Sequence, residues 1–178
     1  MRRLIQRILL EETTSKVLLV FGGINQATPE WMGNQIPSRI KNQYDKIILK
    51  SYRSRDLLES IDSLKEMKNT NISVVGFSQG GLNTYRLANS GVKLDFLGLI
   101  DPSVKSDWSL KGFPSGRNSV LFYNNKNWGK QYYDKYIVWR NELAEEMRSS
   151  GMEVVEEDLN PHINDHMLFP REFFNRFM

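Results

Sequence analysis

Ile72-Ser73-Val74-Val75-Gly76-Phe77-Ser78-Gln79-Gly80-Gly81-Leu82-Asn83-Thr84-Tyr85-Arg86-Leu87-Ala88-Asn89 is the stretch on which the reading of this chain turns. The run from Asn71 to Phe77 is short and β-rich, and the part from Gly80 to Asn89 is a helical pattern with small residues along one side that ends before Gly91. Between them Gly76-Phe77-Ser78-Gln79-Gly80 matches G-x-S-x-G. In that pattern a serine sits on a tight strand-to-helix turn whose strained backbone raises its hydroxyl above the sheet. Glycines flank it because side chains would collide there. The pentapeptide alone also describes an ordinary glycine-rich turn. Strand, turn and helix in the required order make Ser78 the candidate nucleophile.

Working outward, apolar runs of strand length alternate with helical patterns along the whole chain, the signature of a parallel sheet covered by helices on both faces. Lys16–Phe21, Lys46–Leu49, Asn71–Phe77, Leu94–Ile100, Ser119–Tyr123 and Met152–Val155 are the predicted strands, and the first, third and fourth are continuous enough in apolar character to be central. Helices are predicted over Pro29–Ile40, over Ser54–Met67 with Leu57, Leu58, Ile61 and Leu64 on one face behind Ser54 or Asp56 as cap, over Lys130–Ser149 ending at Gly151, and over Pro170–Met178. The segment from Ser103 to Asn118 shows no clear period and reads as a loop.

Length and composition bound the possibilities. With 178 residues and 40% hydrophobic content, one domain over residues 1–178 with one core is expected. The absence of cysteine excludes disulfides, a thiolate nucleophile and a cysteine metal site. Twenty-four basic and 21 acidic residues are interspersed and sum to only +3, which argues against nucleic acid as a partner. Gln6 and Arg7 interrupt the apolar start and Glu11-Glu12 follow it, so a signal-peptide core is not expected there, and no run approaches the roughly 20 apolar residues of a membrane span. The expectation is a cytoplasmic protein.

The run Gly76-Phe77-Ser78-Gln79-Gly80-Gly81 resembles the nucleophile elbow of carboxylesterases and acyl-protein thioesterases, and is similar to that of cutinases. The specific match is local, and the order of strands and helices extends it over most of the chain at the level of fold. The resemblance implies the α/β-hydrolase fold, here minimal, with a mostly parallel sheet and little or no lid. It also implies a Ser-His-acid triad, an oxyanion hole of two backbone amides, no metal, no cofactor, and a small-molecule or acylated substrate.

A serine hydroxyl needs a base within hydrogen-bond reach and a third group to orient that base. The chain contains only His162 and His166, both just after the last predicted strand, where the order serine, acid, histidine requires the base. His166 is favoured because it opens a short apolar segment leading into the terminal helix, as the triad histidine commonly does in the hydrolases this chain resembles; His162 is held in reserve. For the acid, Asp101 stands directly after the strand that follows the nucleophile helix. Its segment, Gly98-Leu99-Ile100-Asp101-Pro102, is similar to the segment holding the acid in pancreatic-type lipases. The thioesterase pattern puts the acid after the next strand, where this chain reads Asn124-Asn125-Lys126-Asn127 without a carboxylate. Asp107, Asp158 and Asp165 are the substitutes for Asp101.

An oxyanion hole takes one N–H from the residue after the nucleophile, here Gln79, and one from the loop after an early strand, here Gly23 or Ile24. Gly22-Gly23 lacks the lysine and spacing of a phosphate-binding loop. Loops at 24–31, 102–118 and 124–130 are expected to border an open cleft, with Trp31, Trp108, Phe113 and Trp128 as candidate pocket aromatics. The expected activity is hydrolysis of carboxylic esters or thioesters through an acyl-enzyme. A peptidase or acyltransferase of the same fold, or a non-catalytic binding module, are the alternatives.

Overall fold

The computed structural model describes residues 14–24, 27–103, 118–124, 134–157 and 165–178. Among them, six strands form one sheet in the order β2-β1-β3-β4-β5-β6, with every neighbouring pair parallel. The strands are β1 (Ser15–Phe21), β2 (Lys46–Lys50), β3 (Thr70–Phe77), β4 (Phe96–Ile100), β5 (Ser119–Asn124) and β6 (Glu153–Glu157). The helices are α1 (Pro29–Gln35), α2 (Ser38–Lys41), α3 (Ser54–Lys65), α4 (Gly80–Ala88), α5 (Asp134–Ser149) and α6 (Asp165–Phe177).

The central strands are apolar on both sides because both faces are covered. Alternate residues divide between the two layers. Leu18, Val20, Val75, Phe77, Ile100 and Phe122 pack with α1, α2 and α6 through Met32, Ile36, Ile40, Phe169, Phe173 and Phe174. Val17, Leu19, Phe21 and Val74 face α3 and α4 through Leu57, Leu64 and Leu87, while Leu97, Leu99, Leu121 and Tyr123 face Tyr85 of α4 and Leu143 and Met147 of α5.

Three helix expectations are corrected. The helix expected over 29–40 is broken into α1 and α2, with Ile36 extended at φ −79° and ψ 116°. Pro37 is the cause, because its ring crowds a helical conformation in the residue before it. Thr28 is the cap of α1, its Oγ1 accepting the Trp31 N–H at 3.2 Å. Neither Ser54 nor Asp56 caps α3. Arg53 occupies that position, and the Asp56 carboxylate reaches back to accept the N–H and hydroxyl of Ser51. On the same helix Leu57 and Leu64 are buried but Leu58 is exposed. Finally, α6 begins at Asp165 rather than Pro170, so Pro170 lies inside it. Proline is usual in a first turn, but here packing decides, since Phe169, Phe173 and Phe177 project from α6 onto Phe122 of β5.

The order 2-1-3 reverses direction at β1 and β3, and in open parallel sheets ligands bind outside the carboxyl ends of the strands at such a switch point. The register puts those ends side by side: Phe21 lies opposite Gly76, Phe77 opposite Ile100, and Ile100 opposite Phe122. Gly22-Gly23, Ser78 and Asp101 therefore leave the sheet along one edge. Among the described residues no helix is long and apolar enough to cross a membrane.

Candidate active site

Ser78 follows β3 with φ +53°, in the left-handed region that a residue with a side chain seldom adopts. Backbone bonds hold it there: its N–H donates to the Ile100 carbonyl, and its carbonyl accepts the N–H groups of Gly81 and Ser103, each at 3.0 Å. The two glycines of the motif are required by contact. A Cβ at position 76 would lie 2.1 Å from Thr84 Oγ1, and one at position 80 would lie 2.4 Å from the Phe21 carbonyl oxygen. Helix α4 thus starts pressed against the end of β1, which keeps the turn tight.

Asp101 follows β4 in a similarly unusual conformation, φ +38°, with its N–H on the Phe122 carbonyl at 2.6 Å. Its side chain is 6% exposed, and its Oδ2 lies 2.6 Å from His166 Nδ1. A carboxylate can only accept, so His166 donates from Nδ1 and its Nε2 is left as the acceptor nitrogen. The His166 ring also packs on the ring of Phe77, centroids 4.5 Å apart, and Trp31 stacks on the same ring with centroids 5.9 Å apart. The residue before the nucleophile thus forms a floor under the histidine.

His166 is the second residue of α6 and shares its packing face with Phe169, Phe173 and Phe177 at spacings of 3, 7 and 11. The aromatic contacts that seat α6 on the sheet therefore also aim His166 at Asp101. Gly98 makes room for this seat, as a Cβ there would meet the Phe173 ring at 2.5 Å.

At the proposed oxyanion position, Gly22 donates its N–H to the Lys50 carbonyl at 2.9 Å and is unavailable. Gly23 comes next and lies against Ser78, since a Cβ on it would lie 3.0 Å from Ser78 Cβ. Ile24 is 39% exposed beside it, and Gln79 stands at the amino end of α4.

Of the expected site residues, Asp101 and His166 are in contact, Gly23 lies against Ser78, and Gln79 follows Ser78 at the start of α4. His162, Asp107, Asp158, Trp108, Phe113 and Trp128 lie outside the described residues, as do positions 125–127. Trp31 belongs to α1 and packs against the core instead of standing on a loop. Ser103 was not singled out by sequence, yet its hydroxyl lies 3.4 Å from the Ser78 hydroxyl. Its only sequence signal is its place two residues after the acid. A cavity of about 230 Å³ adjoins this group and is lined in part by Gln79 and Ser103. A larger hollow, about 610 Å³, opens at the opposite end of the sheet beside Asn69, Asn71 and Lys93 and does not reach the serine.

No protein-family model matches the sequence, and no curated protein matches it. Solved structures do. A presumed hydrolase of the α/β superfamily from Xanthomonas campestris pv. campestris superposes with a TM-score of 0.56 at 11% identity, covering 90% of this chain and 95% of that one. A presumed YdeN-like hydrolase from Pectobacterium atrosepticum superposes with a TM-score of 0.51 at 12% identity, covering 98% of both chains. At such identities the likeness concerns architecture alone, and with the parallel sheet and the elbow after β3 it establishes that this chain has the α/β-hydrolase fold.

Proposed function

We propose that the protein is a serine hydrolase of one domain that cleaves carboxylic esters or thioesters. The observation that carries this reading is the contact of His166 Nδ1 with the buried Asp101 carboxylate, beside a serine held at positive φ at the end of β3. In the proposed reaction the Ser78 oxygen bonds to the substrate carbonyl carbon while its proton passes to His166 Nε2, and Asp101 stabilises the imidazolium. The oxyanion is met by the Gln79 N–H and by that of Gly23 or Ile24. His166 then gives the proton to the departing alkoxide or thiolate as the carbon–heteroatom bond breaks. Water, activated by the same histidine, releases the acid and restores Ser78.

The seat of the acid after β4 also weakens the alternative of a binding module, which drew on the lack of a carboxylate after β5. A fluorophosphonate should label Ser78 covalently, and labelling should vanish in Ser78→Ala and fall sharply in His166→Ala. Ser78→Ala should lower kcat on p-nitrophenyl esters by on the order of 10⁴ to 10⁶. A well-folded protein that takes no label, or a Ser78→Ala variant with full activity, would overturn the reading.

A further inference from the structure

The cavity beside Ser78 has a chemistry that the triad does not use. One wall is a single face of α4, where Gln79, Leu82, Asn83 and Arg86 recur at helical spacing, and the other is the turn into α3 that carries Arg53. One end lies at Ser103, 3.4 Å from the nucleophile hydroxyl. Arg86 stands two turns beyond Gln79, a rise of about 10 Å, and long helical side chains lean back toward the amino end, here the end nearest Ser78. The walls are joined: buried Asn83 donates through Nδ2 to the carbonyls of Ser51 and Arg53, at 3.5 and 3.3 Å.

Arg53 and Arg86 both line this space, and among the described residues no carboxylate does. Nearby, Lys50 and Arg55 both pair with Glu59. Arg53 and Arg86 form no ion pair among the described residues. The carboxylate closest in influence, Asp56, is engaged by the hydroxyl and N–H of Ser51. The amino ends of α3 and α4 both open here and add to the positive field. A volume of about 230 Å³ is below the range that encloses a whole small ligand, so it fits an end group on a short chain.

We infer that this cavity is an anion subsite: the substrate cleaved at Ser78 carries a carboxylate or phosphate a few atoms from the scissile carbonyl, held between Arg53 and Arg86. The inference rests on the proposed hydrolase activity and names its substrate class.

The test compares mono-p-nitrophenyl glutarate, anionic in its acyl part, with neutral p-nitrophenyl butyrate, and 4-carboxyphenyl butyrate, anionic in its leaving group, with phenyl butyrate. In wild type at least one anionic probe should exceed its neutral counterpart in kcat/KM, and the pair that does so identifies which side carries the charge. That ratio should fall by about tenfold in Arg86→Gln and further in the Arg53→Gln/Arg86→Gln double variant, through KM, as expected for a lost charge-assisted hydrogen bond. Both positions are exposed, so the fold should tolerate the changes. Ratios that never exceed one, or that are the same in wild type and the double variant, overturn the subsite. If no ester is cleaved at all, the hydrolase reading fails, and calorimetric titration with glutarate still decides the subsite. Binding that is lost in the double variant supports it, and binding that is absent or unchanged overturns it.

Discussion

Ser78 and His166 are positioned by different means. The serine is held by main chain: glycines at 76 and 80 that admit no Cβ, and three backbone hydrogen bonds around a positive φ. The histidine is held by side chains, through a row of phenylalanines that seats α6 on β5 and through the ring of Phe77 beneath it. Backbone strain of this kind is all or nothing, because a single methyl group closes the turn. Aromatic packing is graded, and each ring contributes separately. Asp101 joins the two schemes, fixed by backbone like the serine and touching the histidine by its side chain.

Cutting that junction should have the largest effect. Asp101→Asn keeps the size of the side chain but offers His166 an amide instead of an acceptor-only carboxylate, which favours the wrong tautomer. A fall in kcat on the order of 10⁴ is expected, with the fold intact by circular dichroism. Loss of less than tenfold would mean that the histidine is oriented mainly by its aromatic seat. Phe173→Ala attacks that seat directly. The ring is fully buried and packs on Phe96, Phe122, Phe174 and Phe177, so truncation should cost about 3 to 5 kcal/mol in urea unfolding. The void is enlarged by Gly98, which has no side chain to fill it.

The smallest effect lies away from both schemes, in the turn that carries Arg53. Burial alone would raise the Asp56 carboxyl, but hydrogen bonds from the Ser51 hydroxyl and N–H, with Lys50 and Arg53 nearby, outweigh it and hold it below the usual carboxylate range. A carboxyl lowered in the folded state stabilises the fold above its unfolded-state value and ceases to do so as pH falls through its folded-state value. Asp56→Asn should therefore melt slightly below wild type at neutral pH, and the gap should close on acidification. A gap that is constant with pH would assign the role of Asp56 to shape instead of charge.

The elbow was legible in the sequence because its cause is local: two glycines, a serine, and the periodicities on either side lie within one short run. The sheet was legible for a similar reason, since strands buried on both faces announce themselves as apolar runs. Asp101 and His166 could be chosen by their order along the chain, but what brings them to 2.6 Å could not be read. That depends on α6 beginning five residues before Pro170, which local chemistry takes for a helix start and the phenylalanine row overrides. The break at Pro37 was written in the sequence and was outweighed there by the helical pattern around it. That Arg53 and Arg86 line one cavity was not legible, because they are far apart in sequence, and only the Asn83 bonds join α4 to the turn before α3.

Ser78 donates to Ile100 and accepts from Ser103, and Asp101 lies between those two residues. Ser78 and Asp101 are therefore cross-stitched, with one stitch on each side of the aspartate. A strain that shifts the end of β4 must carry Ser78 with it, so the separation of Ser78 from Asp101 is set by backbone, whereas His166 is set by the packing of a separate helix. In the proposed reaction the variable distance is then the one from the His166 imidazole to a rigid serine–aspartate unit.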